Sequence, residues 1–407
     1  MSGRRRIRVL FFNHAQALGG AELSLLDILA HLDRERFEPK LLAPGAGSLT
    51  AKAREIGIEV LAVHIPARTL GWRKYRSAQG IGSLAIEALA VIPSVLRLTS
   101  ILGSENPDIL YTNSQKAHVL GGLAGRLAGV PVVWHLRDIL QQSGLRTLMA
   151  ALGRWLPRRI IAVSQAVGYQ FSQPASIRKI TVIHNGIDIE SIRARARAIG
   201  PGRIRKRFRI PPKAMLVGMV GRIAPGKGQR MFIEAAQLIA TELPPARFLI
   251  AGGALFGEED YLREAKALAG TRGLDGRLLF IGHVDNPCPI MAALDVLVHC
   301  PAEPEAFGRT VAEAMALGVP VVASRCGAIP EIIDDGRDGL LVEPADPRAL
   351  AVAVMRILGD PVLARELRNN GPRKIASRFT VQRTVRSVES MLQMLVDKKL
   401  NDLEISV

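Results

Sequence analysis

Three stretches combine residue types that could handle a phosphate or a sugar. The first, Gly221-Arg222-Ile223-Ala224-Pro225-Gly226-Lys227-Gly228, nearly spells the phosphate-cradling pattern G-x-x-x-x-G-K-[ST]. Its last position is Gly228, so the hydroxyl that would hold magnesium is missing. Arg222 supplies a second cation, and an Arg and a Lys set across a Pro-Gly turn can grip a diphosphate without metal. The second stretch holds Glu305 and Glu313 around Ala306-Phe307-Gly308-Arg309. If a helix starts near Gly308, Glu313 lies roughly 12 Å beyond Glu305 at ~1.5 Å per residue. Two carboxylates so spaced can grip hydroxyls at both ends of an elongated ligand, while the helix N-terminus faces negative charge between them. The third, Gly19-Gly20-Ala21-Glu22, follows an apolar run and opens a helical one. Two glycines admit a close ligand, and free amides at the helix start attract a phosphate, although a plain tight turn reads the same way. No GxGxxG follows this run, which argues against a nicotinamide dehydrogenase.

The elements that must position these groups are short. Apolar, β-branched runs at 7–12, 40–43, 60–65, 109–112, 130–135, 160–163 and 181–183 alternate with amphipathic stretches. The pattern restarts at 215–220, 248–251, 278–281, 296–299, 319–323 and 340–342. Such alternation predicts parallel sheets covered on both faces, hence two doubly wound α/β domains with a cleft between them. Ligands bind beyond the carboxyl ends of such strands, so the interdomain cleft is the expected site. The expected division is a first domain over 1–200, a linker over 201–212 and a second domain over 213–379. The linker sits in a basic, Pro- and Gly-containing stretch beginning near Arg193. A last helix, about 380–407, is expected to pack back on the first domain.

With 407 residues, 48% hydrophobic and 22% charged, the chain has soluble globular composition, which excludes a disordered, collagen-like or coiled-coil protein. Cys288, Cys300 and Cys326 show no CxxC spacing, so neither a disulfide framework nor a Cys-rich zinc site is expected, and a cytoplasmic setting is. The greasiest stretch, 83–102, is broken by Glu87, Pro93 and Arg97 and is no membrane span. Charge is uneven. Residues 1–212 carry 31 Lys and Arg against 13 Asp and Glu, whereas residues 213–407 carry 23 against 24. A basic first half attracts nucleic acid, anionic lipid or a phosphorylated substrate.

The order of motifs is more specific. Gly19-Gly20, Asn185-Gly186-Ile187-Asp188, Gly221-Arg222…Lys227-Gly228 and Glu305…Glu313 are followed by Ala314-Met315-Ala316-Leu317-Gly318-Val319-Pro320, Pro330-Glu331 and Asp338-Gly339-Leu340. This resembles the family 4 retaining glycosyltransferases of the GT-B fold (glycosyl transferases group 1), over nearly the whole chain. The resemblance implies two Rossmann-like domains facing a central cleft and a nucleotide-diphosphate sugar as donor. It implies that Arg222 and Lys227 bind the diphosphate, Glu305 the donor sugar and Glu313 the ribose hydroxyls. Backbone amides of Phe307 and Gly308 would hold the sugar–phosphate end, and Gly282-His283-Val284 the base. Gly19, Gly20 and Asn185 would lie beside the donor from the first domain. His135, in Trp134-His135-Leu136-Arg137-Asp138, matches a family histidine near the sugar, whereas Asp188 reads as a turn and cap. Glu303 is an extra carboxylate competing for the Glu305 role, and Cys326-Gly327-Ala328 stands where the family often has two adjacent glycines, of which Gly327 matches.

The resemblance further implies transfer of a hexosyl group with retention, by front-side displacement in which the departing phosphate helps deprotonate the acceptor. No carboxylate nucleophile of the glycosidase kind is evident. The absent P-loop hydroxyl and absent DxD triad favour a metal-independent enzyme with no cofactor. The acceptor is expected to be a glycan or a lipid-linked intermediate, with an anionic membrane surface as a further partner through Arg4-Arg5-Arg6, Arg73-Lys74-Tyr75-Arg76 and Arg154-Trp155-Leu156-Pro157-Arg158-Arg159. Two alternatives stand beside this: a nucleotide-sugar epimerase on the same fold, and a basic nucleic-acid-binding protein. The second is weakened by having only four Tyr and three Trp for base stacking.

Overall fold

The structure, a computed structural model, describes residues 5–15, 17–65, 81–171, 178–255 and 257–404. The chain divides into two compact units: residues 1–186 with 381–407, and residues 187–380. The cluster Arg73-Lys74-Tyr75-Arg76 and Arg4 lie outside the described residues.

The first unit is built on a seven-stranded parallel sheet in the order β3-β2-β1-β4-β5-β6-β7. Its strands are β1 (Ile7–Phe12), β2 (Phe37–Ala43), β3 (Glu59–Ala62), β4 (Ile109–Thr112), β5 (Val132–Leu136), β6 (Arg159–Ala162) and β7 (Ile180–Val182). Central β1, β4 and β5 read as continuous apolar runs because helices cover both faces and little of these strands meets water. Phe11, Phe12, Tyr111 and Trp134 are fully buried there, each burial worth on the order of 1.5–3 kcal/mol. The last helix, Val381–Glu404, belongs to this unit: Val385, Val388, Leu392 and Leu395 join its core, and Glu389 Oε1 accepts the Asp33 amide at 2.8 Å.

The second unit carries a six-stranded parallel sheet in the order β10-β9-β8-β11-β12-β13. The strands are β8 (Leu216–Val220), β9 (Arg247–Ala251), β10 (Leu278–Gly282), β11 (Val296–His299), β12 (Val321–Ser324) and β13 (Leu340–Val342). No helix among the described residues is long and apolar enough to cross a membrane.

The expected linker is a correction. Residues 201–212 fall inside the second unit, which starts at Ile187, and Pro201–Arg207 is a helix with Pro at its first position. Arg205 ties it down, donating to Asp295 Oδ2 at 2.6 Å and to the Ala214 carbonyl at 2.9 Å. The charge asymmetry changes accordingly. Eight cations between Arg193 and Arg209 move to the second unit, leaving 27 Lys and Arg against 15 Asp and Glu in the first and 27 against 22 in the second.

Candidate active site

In the second unit, β8 runs into the Gly221-Arg222 loop, a single tight turn at Pro225–Lys227, and the helix Gln229–Glu242. Gly228 joins turn to helix with φ 84°, and a Cβ there would lie 1.7 Å from the Cys300 carbonyl oxygen. The residue that departs from the P-loop pattern is therefore required by the backbone: no serine or threonine fits. The turn delivers Lys227 to Glu305, whose Oε2 accepts from Lys227 Nζ at 2.7 Å and lies 3.4 Å from His299 Nε2 at the end of β11. Burial, the largest influence on the Glu305 carboxyl, pushes its pKa up. His299 and Lys227 together outweigh burial and hold it far below the ordinary carboxylate range. Arg222 NH1 sits 3.6 Å from Glu258, a partner not foreseen in the sequence.

Glu305 is held from behind by its backbone. Ala328 donates its amide to the Glu305 carbonyl at 2.8 Å, and Gly327 (φ 60°) packs so closely that a Cβ would be 2.2 Å from that oxygen. Gly327 is thus a glycine this loop requires. Glu303 takes another place, its carboxylate packed over Gly226, where a Cβ would come within 2.7 Å. The helix near Gly308 runs Arg309–Ala316 from a left-handed cap at Gly308. Glu313 is buried in it and accepts from Arg309 Nε at 2.8 Å. Phe307 is buried with its ring against Phe379 at 6.0 Å, so its side chain is core. His283, with Val284, follows edge strand β10; the His283 ring is mostly exposed, 3.3 Å from Asp285. Asp188 caps the helix Ile189–Ala198, accepting from the Ser191 amide at 3.0 Å.

In the first unit, polar residues gather where β1, β4 and β5 end. Gly19 and Gly20 open the helix Gly20–His31, but the Gly19 amide is already taken by Glu22 Oε2 at 3.0 Å. The expected free anion site at that helix start is therefore partly filled by the chain's own carboxylate, which burial raises in pKa against its hydrogen bonds. His135 is fully buried at the end of β5. The Tyr111 hydroxyl meets its Nδ1, as does Arg137 NH2 at 3.1 Å. Arg137 Nε donates to Asn113 Oδ1 at 2.7 Å and its NH1 to Asn185 Oδ1 at 2.5 Å. Burial, and then the Arg137 charge, hold the His135 pKa well below that of a free imidazole. Beside them His14 Nδ1 meets Ser114 Oγ at 2.6 Å, and burial lowers the His14 pKa to about 4. Of the expected site residues, His135 and Asn185 are joined through Arg137 in the first unit and Lys227 meets Glu305 in the second, while Arg222, Glu313 and His283 contact Glu258, Arg309 and Asp285. Sequence reasoning missed Tyr111, Asn113, Arg137, His299 and Glu258; only Arg137 carried a signal, two positions after His135.

Two family descriptions tile the chain: "Glycosyltransferase Family 4" matches residues 18–191 and "Glycosyl transferases group 1" residues 202–374. The chain belongs to the family 4 glycosyltransferases. This glycosyltransferase is similar to UDP-Gal:alpha-D-GlcNAc-diphosphoundecaprenol alpha-1,3-galactosyltransferase of Escherichia coli at 26% identity, covering 98% of this chain and 100% of that one. It is also similar to the capsular polysaccharide biosynthesis glycosyltransferase CapM of Staphylococcus aureus, at 24% identity over 74% of this chain and 80% of that one. Among solved structures, Alr3699/HepE of Anabaena in complex with UDP and glucose matches with TM-score 0.80 and 28% identity, covering 95% of this chain and 100% of that one. The two parallel-sheet Rossmann-like domains are those of a GT-B glycosyltransferase.

Proposed function

We propose that this glycosyltransferase moves a hexosyl group from a nucleotide-diphosphate sugar to a lipid-linked or polysaccharide intermediate, with retention and without metal. The observation that carries the reading is the Arg222–Lys227 loop beside Glu305 and His299. Leaving-group departure puts negative charge on the nucleotide diphosphate and positive charge on the anomeric carbon. Arg222 and Lys227 answer the first, and a carboxylate held ionised at Glu305 orients the sugar. Each cation faces a carboxylate, Lys227 with Glu305 and Arg222 with Glu258. Donor binding exchanges at least one of these contacts for phosphate oxygens. Glu313 takes the ribose hydroxyls, His283 and Val284 the base, and the Phe307 and Gly308 amides the sugar–phosphate end. Gly19, Gly20, Asn185 and His135 serve the donor from the first unit. Retention by front-side displacement is what the family resemblance implies, the departing phosphate helping to deprotonate the acceptor. Gly228, where only glycine fits, supports metal independence. The epimerase alternative finds no support among the relatives described, which are transferases.

The acceptor reading draws support from the diphosphoundecaprenol-linked substrate named for the Escherichia coli relative. Of the basic clusters in the first unit, Arg5 and Arg6 are paired with Asp108 and Glu38. Around Trp155, which is 68% exposed, Arg126, Arg154, Arg159 and Lys179 have no carboxylate at ion-pair distance among the described residues. This surface, at the amino ends of β6 and β7, is where an anionic cytoplasmic membrane face would dock, each cation contributing on the order of 1 kcal/mol. Two measurements test the proposal. Supplying UDP-, GDP- and ADP-hexoses with a lipid-diphosphate-linked acceptor should give an acceptor-dependent product whose anomeric proton matches that of the donor; inversion would refute retention. Co-sedimentation with anionic vesicles should fall with salt and with Arg154→Glu, and no binding at low salt would refute docking.

A further inference from the structure

We infer that Arg137 and Tyr111 are positioning residues that fix His135 as the tautomer protonated on Nε2, so that His135 offers the substrate a neutral N–H donor and not a base. The inference rests on the reading of His135 as a site residue and goes beyond it by assigning its proton and the two groups that place it.

The argument is one of donors and acceptors. A guanidinium has five N–H donors, no acceptor, and no accessible deprotonated form. Arg137 NH2 lies 3.1 Å from His135 Nδ1, so that nitrogen must be the acceptor. The Tyr111 hydroxyl reaches the same nitrogen and can donate to it as well. With Nδ1 accepting, the neutral ring carries its single proton on Nε2. A second proton on Nδ1 would turn an N–H toward the Arg137 cation in a fully buried place. The other charged or titratable groups near this ring do not change the assignment. His118 is buried, with its pKa lowered to about 3 by burial and its Nδ1 engaged by Thr112 Oγ1 at 2.7 Å, and the Tyr111 hydroxyl is pushed above its ordinary pKa by burial.

Arg137 is itself held. Asn113 and Asn185, residues 72 positions apart in the chain, each present Oδ1 to it. Asn113 Nδ2 in turn lies 3.4 Å from Asn13 Oδ1 and from the Ala21 carbonyl. Asn185, which the motif marks as a donor-side residue, thus has a second task as an arm of the Arg137 clamp. On the far side of the ring, His135 Nε2 is buried and has no hydrogen-bond partner among the described residues. A buried N–H is seldom left unmade, and it selects an oxygen lone pair of the substrate, hydroxyl or phosphoryl.

The deciding experiment is two-bond ¹H–¹⁵N correlation NMR on the full chain with ¹⁵N-labelled histidine, His135 being assigned from its loss in His135→Gln. The expected spectrum has a pyridine-like Nδ1 and a pyrrole-like Nε2, unchanged down to pH 5. An Nδ1–H tautomer, or titration of His135 above pH 5, overturns the inference whatever the activity. Arg137→Met combined with Tyr111→Phe should release the ring into mixed tautomers; if the pair fails to fold, Arg137→Gln, whose amide offers Nδ1 an acceptor as well as a donor, gives the same reading. Transfer assays add the role. His135→Gln keeps an N–H donor near the Nε2 position and should stay within about tenfold of wild type, while His135→Ala should fall by about 100-fold. Full activity in His135→Ala would remove the residue from the site, a failure of the functional reading that the NMR result separates from a failure of the tautomer assignment.

Discussion

Replacing Lys227 by Met isolates the contact at the centre of the second unit. The change removes an ammonium that donates to Glu305 at 2.7 Å and keeps a side chain of similar length. Breaking a wholly buried pair costs about 3–5 kcal/mol and an exposed pair at most about 1. The Glu305 side chain is 18% exposed and that of Lys227 34%, so the pair lies between these limits. His299, 3.4 Å from the same carboxylate, also stays in place. The expected loss is about 1.5–3 kcal/mol, the range for a hydrogen bond to a charged group. For a unit of this size that lowers the midpoint of thermal unfolding by roughly 2–4 °C per kcal/mol. Calorimetry on wild type, Lys227→Met, Glu305→Gln and the double variant, at pH 7 without nucleotide, reads the coupling directly, which should exceed about 0.5 kcal/mol. Strictly additive effects of the two changes would refute the pairing as a source of stability and, with it, the claim that Lys227 is prepositioned on the Glu305 carboxylate.

Three further outcomes follow from the same geometry. Glu305→Gln should cut transfer by at least about 100-fold, measured as donor- and acceptor-dependent product, while the unit stays folded; near-normal turnover would remove Glu305 from the site. Because the Glu305 pKa is lowered on folding, its contribution to stability is present above the unfolded value of about 4.5 and is lost as pH falls below it. Wild type should therefore lose more stability than Glu305→Gln between about pH 5 and 3, and equal losses by denaturant titration would contradict the shift. Gly228→Ser, which would complete the P-loop pattern, should destabilise the second unit by about 3 kcal/mol or more, combining a left-handed backbone with a clash on Cys300; an unchanged denaturation midpoint would contradict that geometry.

The sheets were legible because period and length are local properties. Each expected strand appears within a few residues of its run, as with β4 and β11, whose bounds coincide with 109–112 and 296–299. Glu305 drew attention through its spacing to Glu313, and Asn185 only through motif order. What stayed hidden was long-range. The Arg137 clamp joins side chains from β4, β5 and the segment before Gly186, and His299 meets Glu305 across a loop. The segment 201–212 misled for a related reason. Its Arg-rich, Pro-flanked composition suits a linker, and the anchor that makes it part of the second unit, Arg205 on Asp295, lies ninety positions away.

The most direct test is equilibrium binding of UDP, GDP and ADP, each beside its monophosphate, to the full chain in EDTA. A metal-free cationic clamp predicts that the diphosphate of the preferred base binds at least tenfold more tightly than its monophosphate, that chelation leaves its affinity unchanged, and that Arg222→Ala with Lys227→Met erases the preference. Equal affinity for diphosphate and monophosphate with all three bases, or diphosphate binding that disappears in EDTA and returns with Mg²⁺, would contradict it.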